Sequence, residues 1–307
     1  MGHLWRTPAL TLPLPPLFWA GNLLIGRAFA RQLPPFGLTW MRWSLALAIL
    51  LPFVAPGLWR HRHALLARWW VLAACGLTGF AGYPVLTYIA LHTTPAATAA
   101  VLNSTLPLMV PVFAWIIAGE RPSPRVGIGI GISLLGVLVI VSQGDLARLT
   151  SLRIGAGEIL VLAAVASYAL YSVLLRFAPA TVPPLVFLAA TFVPAVAVLT
   201  PLWAWELAQG RTLPLQPYAI ASVLFIGIFA SLFANLLWNR SVAMVGSTIT
   251  GASFHLMAIY SATLAFILLG EPIHRFHVVG IALVLTGFAL ATLPGRRAAP
   301  SRTVAGA

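Results

Sequence analysis

Ala114-Trp115-Ile116-Ile117-Ala118-Gly119-Glu120 and Ala265-Phe266-Ile267-Leu268-Leu269-Gly270-Glu271 follow one pattern, an apolar run closed by a glycine and a single glutamate. The glutamates stand 151 residues apart (271 − 120). At that offset, without gaps, Gly129 meets Gly280, Ile130 meets Ile281, Leu134 meets Leu285 and Gly136 meets Gly287. Eight of the twenty-three positions from 114 to 136 are identical, where a composition this apolar should give about two by chance. Earlier residues match at a nearby offset of 149: Arg27 with Arg176, Pro34-Pro35 with Pro183-Pro184, and Pro52 with Pro201. The chain therefore reads as a duplication, with a first unit over 1–150 and a second over 151–307.

The composition says what solvent these units fold in. Of 307 residues, 60% are hydrophobic and only 7% charged, with a mean hydropathy of +0.96. A water-soluble domain carries roughly one-quarter charged residues. So little charge leaves most of the surface to lipid, where backbone groups must be satisfied within each segment and helices are favoured. The short alternating segments of a β-barrel are absent. Taking about 20 apolar residues per hydrocarbon thickness, spans are expected near 12–30, 36–55, 69–91, 95–118, 124–142, 156–178, 184–206, 217–242, 247–269 and 276–294. The fold class is thus an all-α membrane protein of ten transmembrane helices. Each repeat holds five, and an odd number inserts the second half upside down relative to the first. Asn22 and Arg27 interrupt the first apolar run, which argues against a cleaved leader despite Ala28-Phe29-Ala30.

The net charge of +13 comes from eighteen arginines placed singly or in pairs beside apolar runs. That is the distribution of the positive-inside rule, not of a nucleic-acid-binding face. With both ends inward, eleven arginines are cytoplasmic and six lie outside, with Arg42 left inside the second span. A multi-pass protein of a bacterial inner membrane is expected, its termini cytoplasmic and its main partners the lipid bilayer and a small-molecule substrate, as a monomer or weak homodimer. The lone Cys75 forms no intramolecular disulfide. No His-x-x-x-His pair or embedded carboxylate cluster is seen, so neither a metal, a cofactor nor an enzyme is expected.

Two longer stretches carry a family resemblance. One runs from Tyr88-Ile89-Ala90-Leu91 through Gly119-Glu120 to Gly129-Ile130, the other from Asn239-Arg240-Ser241-Val242 through Gly270-Glu271 to Gly280-Ile281. They resemble the duplicated EamA module of the drug/metabolite transporter superfamily. Trp19-Ala20-Gly21-Asn22 and its weaker counterpart Tyr168-Ala169-Leu170-Tyr171 resemble the opening of each module. Glu120, Glu271, Gly129 and Gly280 belong to that signature. The pattern is most similar to bacterial exporters of aromatic amino acids. This resemblance implies export of amino acids and related metabolites by alternating access; broad drug or metabolite efflux, with or without proton coupling, is the alternative.

Polar groups on lipid-embedded helices usually face a protein interior or a wet cavity. On that ground Asn22, Tyr83, Asn103, Ser104, Tyr168, Tyr171, Asn235, Trp238, His255 and Tyr260 are candidate substrate contacts. The competing reading makes the aromatics interfacial anchors and the asparagines helix-to-helix bonds. Tyr88 and Asn239 lie closer to span ends and carry less weight. Spans five and ten bear Gly127, Gly129, Gly131, Gly280 and Gly287, a spacing for close packing, within the chain or in a dimer. Pro84, Pro107 and Pro111 are expected to kink spans three and four. Glu120 and Glu271, with Arg121 or Arg275 close by, are read as interfacial ion pairs, and Glu158 and Glu206 as terminal. His255 is the best-placed titratable group, which favours facilitated transport over obligatory proton antiport. Arg42 either faces the pathway or snorkels to the outer interface.

Overall fold

A computed structural model describes residues 7–29, 34–94, 99, 102–142, 144, 145, 147, 155–214, 216–269 and 275–292. Among the described residues there is no β-strand. The helices are α1 (Leu14–Phe29), α2 (Pro35–Arg60), α3 (Trp69–Ala90), α4 (Leu106–Ala118), α5 (Pro124–Ser142), α6 (Ala156–Leu174), α7 (Pro184–Ala208), α8 (Pro217–Val245), α9 (Leu256–Leu269) and α10 (Arg275–Thr292). Short helices Pro8–Thr11, Arg62–Ala67 and Ser247–Ser253 precede α1, α3 and α9. Proline opens α2, α5, α7 and α8, at a position where the missing N–H has no intrahelical partner to lose.

Six helical stretches are long and apolar enough to cross a membrane: Pro8–Ile25, Pro35–Arg60, Trp69–Ala90, Ala156–Phe177, Pro184–Ala208 and Pro217–Val245. Leu106–Ala118, Pro124–Val139 and Arg275–Ala291 are apolar but shorter. The exterior is as greasy as the interior. Phe53, Ile116, Val278 and Ile267 are exposed, while Trp43, Phe80, Tyr171, Phe192 and Trp238 fill the core.

Two spans differ from the sequence expectation. Within 247–269 the chain breaks at Phe254-His255, and the described part of 95–118 turns at Ser104-Thr105 before α4 begins. Beside the Ser104-Thr105 turn Pro107 offers no N–H, and the Leu108 N–H goes to Thr105 O and not to the Ser104 carbonyl. His255 Nε2 bonds that carbonyl at 3.1 Å. Pro107 therefore starts a helix and kinks none. Pro84 likewise sits in the first turn after a π-helical segment, Gly76–Gly82, inside α3. A second π segment, Ile226–Phe233, lies inside α8. Such wide turns interrupt the regular ladder and often mark functional sites.

Two contacts join residues 151 apart in sequence. Ser104 meets His255, and Ser133 Oγ donates to Val284 O at 3.2 Å. The glycine faces of α5 and α10 meet each other. A Cβ at Gly129 would lie 2.6 Å from Gly287 O, and one at Gly136 would lie 2.6 Å from Gly280 O. This stripe is used within the chain. The 149-related pair Trp19 and Tyr168 touch edge to face, centroids 5.6 Å apart.

Candidate functional site

The middle of the bundle is polar and aromatic. Asn22 and Trp19 come from α1, Arg42 and Trp43 from α2, Tyr83, Thr87 and Tyr88 from α3, Tyr168 from α6 and Asn235 from α8. With Asn103, Phe254 and Met257 they line a central cleft of about 60 Å³, room for a few water molecules. Helix α3 lies antiparallel to α6: Ser167 Oγ donates to Thr78 O at 2.8 Å, while Trp70 packs on Phe177 at the far end. The cleft runs from Tyr168 toward the Leu91 end of α3.

A second cavity of about 460 Å³ approaches from the other end. Its walls include Glu120, Ser172, Arg176, Asn239, Val242 and Ser247. Tyr168 and Ser172 are one helical turn apart on α6, as Asn235 and Asn239 are on α8. A layer one turn thick thus separates the two cavities. Three hydrogen bonds within it join α6 and α8: Tyr168 OH donates to Asn235 Oδ1 at 3.2 Å, Tyr171 OH donates to Asn239 Oδ1, and in the other direction Trp238 Nε1 donates to Ser172 Oγ at 3.2 Å. Trp19 packs against Tyr168, Trp238 and Phe254, and its indole N–H is held by Ala230 O at 2.9 Å.

Of the ten candidate contacts, Asn22, Tyr83, Asn103, Tyr168 and Asn235 line the central cleft. Tyr83 OH donates to Asn103 Oδ1 at 3.1 Å, and Tyr88 OH donates to Asn22 Oδ1 at 3.4 Å. The Asn103 and Asn235 amide groups each donate to the carbonyl four residues back, Ala99 O at 3.0 Å and Ser231 O at 2.7 Å. Tyr171 and Trp238 are buried in the separating layer, and Ser104 and His255 in the crossing of the two chain breaks. Ser172 also lines the larger cavity. Tyr260 packs beside Val137, Leu256 and Val284, away from the cleft. Tyr88 and Asn239, discounted from their nearness to span ends, each line a cavity.

The charged residues depart further from expectation. Arg42 does not snorkel: it is 4% exposed and lines the cleft. Glu206 lies in the last turn of α7, as expected, but it is buried. It is 1% exposed and accepts the Gly37 N–H at 2.6 Å, so it caps the start of α2, where a negative charge is favoured by the helix dipole. Glu120 pairs with Arg176, at 2.6 Å, and not with Arg121. Glu158 closes the first turn of α6 by accepting the Gly155 N–H at 2.8 Å. Glu271 and Gly270 lie outside the described residues, as does the side chain of Arg27. Gly129 and Gly280 serve the α5–α10 crossing.

The profile of the EamA-like transporter family matches twice, over residues 7–142 and 155–293. An uncharacterized transporter of Archaeoglobus fulgidus is 28% identical over 292 residues, 92% of this chain and 96% of that protein. The uncharacterized transporter YyaM of Bacillus subtilis is 25% identical over 69% of each chain, and YetK of the same organism 23% identical over 87% of this chain and 81% of its own. A solved crystal structure superposes with a TM-score of 0.73 at 23% identity, covering 94% of this chain and 98% of the other. That likeness establishes the fold.

Proposed function

Since the chain belongs to the EamA-like transporter family and is a multi-pass membrane protein, we propose that it exports small organic solutes, amino acids first among them, by alternating access between two inverted five-helix halves. The observation that carries this reading is the pair of cavities entering from opposite ends and stopping one helical turn apart. A channel would need a continuous path; a one-turn barrier that opens on alternate sides suits a carrier. Aromatic walls around the cleft favour aromatic side chains.

The symmetry supports the same mechanism. Residues equivalent under the repeat touch each other at Trp19 and Tyr168, Ser104 and His255, and Ser133 and Val284, as residues beside a local two-fold axis do. The Tyr88–Asn22 bond and the Tyr171–Asn239 bond are also equivalent, with donor and acceptor exchanged between the halves. One faces the central cleft and the other borders the larger cavity, so exchanging the conformations of the halves would exchange which end is open. On the arginine distribution the larger cavity faces the cytoplasm of a bacterial inner membrane, with both termini on that side. Among the described residues no carboxylate lines the central cleft, which favours facilitated movement over proton antiport.

The test is solute counterflow into proteoliposomes preloaded with unlabelled phenylalanine, leucine or alanine. Transient accumulation of the labelled solute, saturable and strongest for phenylalanine, is expected. Flux that is linear in concentration, without overshoot, would mean a channel. Uphill movement driven by an imposed pH gradient would replace facilitation with proton coupling, and efflux confined to unrelated lipophilic drugs would favour broad drug transport.

A further inference from the structure

The central cleft holds a positive charge, and among the described residues lining it none is negative. Arg42 is buried, and its Nε donates to Ser231 Oγ at 2.7 Å. Its two terminal nitrogens reach only Tyr88 OH at 3.3 Å and Ala230 O at 3.4 Å. The guanidinium carbon lies 4.8 Å from the Trp43 ring centroid. Among the described residues no carboxylate pairs with it. Five N–H donors on a planar fork are thus met by one good neutral acceptor and two long contacts. A cation in that state inside a bundle surrounded by lipid is costly, and charges buried in proteins are ordinarily paired.

We propose that the missing partner is supplied by the cargo: Arg42 binds the carboxylate of the transported solute. The proposal rests on the transport reading above and narrows its substrate class to monoanionic carboxylates, including amino acids. A guanidinium fork matches a carboxylate in a two-point contact, and the terminal nitrogens hold the weaker of the present bonds, the ones a stronger acceptor displaces. The same charge count disfavours phosphate esters, because among the described residues Arg42 is the sole cationic side chain lining the cleft. Tyr88 gains a role here. Its hydroxyl accepts from Arg42 and donates to Asn22, so a solute that takes the guanidinium also loosens the contact between α3 and α1.

The decisive experiment compares carboxylates with their own amides on purified protein: phenylalanine with phenylalaninamide, leucine with leucinamide, and benzoate with benzamide, by titration calorimetry. Removing one partner of a buried charge pair should weaken binding by about 30-fold or more, so each carboxylate is expected to bind at least that much tighter than its amide. Arg42→Gln should abolish the preference, whereas Arg42→Lys, which keeps the charge and loses the fork, should retain part of it. The comparison within the native protein needs no variant, so a poorly folding Arg42→Gln leaves the test intact. Equal binding of acid and amide, or a preference that survives Arg42→Gln, overturns the assignment. So does counterflow of amines or nucleosides without any carboxylate, while leaving transport standing; absence of all solute counterflow removes the transport reading itself.

Discussion

Gly129→Ala and Gly131→Ala place the same methyl group on the same helix two residues apart, and the structure predicts opposite signs. At Gly129 the new Cβ would lie 2.6 Å from Gly287 O, 2.8 Å from Ala291 N and 3.0 Å from Ala291 Cβ. Two of these obstacles are backbone, so no side chain can swing away. Reaching an ordinary contact of 3.4 Å requires α5 and α10 to part locally by about 0.8 Å. A gap of that size forfeits a quarter to a half of each dispersion contact along the seam, and overpacking of a tight core costs about 1–3 kcal/mol. At Gly131 nothing lies within 4 Å, and alanine in a helix interior gains roughly 0.5–1 kcal/mol over glycine. In thermal unfolding of purified protein followed by tryptophan fluorescence, Gly129→Ala should lower Tm by several degrees and Gly131→Ala should leave it level or raised. Adding Gly136→Ala to Gly129→Ala should cost less than the sum, because one separation of the helices accommodates both methyls. Equal effects at 129 and 131 would refute the packing argument.

Tyr171→Phe removes the donor from the buried Asn239 carbonyl and should destabilise the protein by about 1–3 kcal/mol; Tyr88→Phe, whose bond to Asn22 is long and partly exposed, should cost less by the same melt. Glu206→Ala deletes the acceptor at the start of α2 and should cost about 1.5–3 kcal/mol, while Glu206→Gln keeps an acceptor there and should recover part of that in chemical denaturation. Glu120→Gln breaks an ion pair whose side chains are 38% (Arg176) and 51% (Glu120) exposed, so its effect on stability should stay under about 1 kcal/mol and phenylalanine counterflow should persist. His255→Ala removes the bond to the Ser104 carbonyl where both helices are broken, and should lower both Tm and the counterflow rate without shifting its pH dependence.

How much of this was written in the chain varies by residue type. The duplication is legible at Gly119, which ends α4 with a positive φ of 67°, and along the glycine seam, where Gly129, Gly136 and Gly287 face backbone, because few side chains fit such positions. The apolar runs between them locate spans but say little about their interior. Pro107 signals a break before α4, yet the matching break at Phe254-His255 has no proline; the first π segment carries Gly76, Gly79 and Gly82, while the second, Ile226–Phe233, reads as an ordinary apolar helix. Helical spacing cannot say which way a lone polar residue points. Tyr83, Asn103 and Asn235 were legible as interior because lipid excludes them. Arg42 was not, since a long side chain in the outer half of a span reaches water as readily as a cavity. Glu206 is the end residue its place after an apolar run suggests, but its burial was not legible, because only the docking of the α2 start against α7 produces it.

The account stands on access that alternates between two ends. In a Cys75→Ala background, single cysteines at Thr87, on the central cleft, and Ala243, on the larger cavity, would be challenged with a membrane-impermeant maleimide from each side of oriented vesicles. Thr87→Cys should react from one face only and Ala243→Cys from the other, and saturating phenylalanine should move the two rates in opposite directions. Labelling of both from the same face, or rates that rise and fall together, would contradict it.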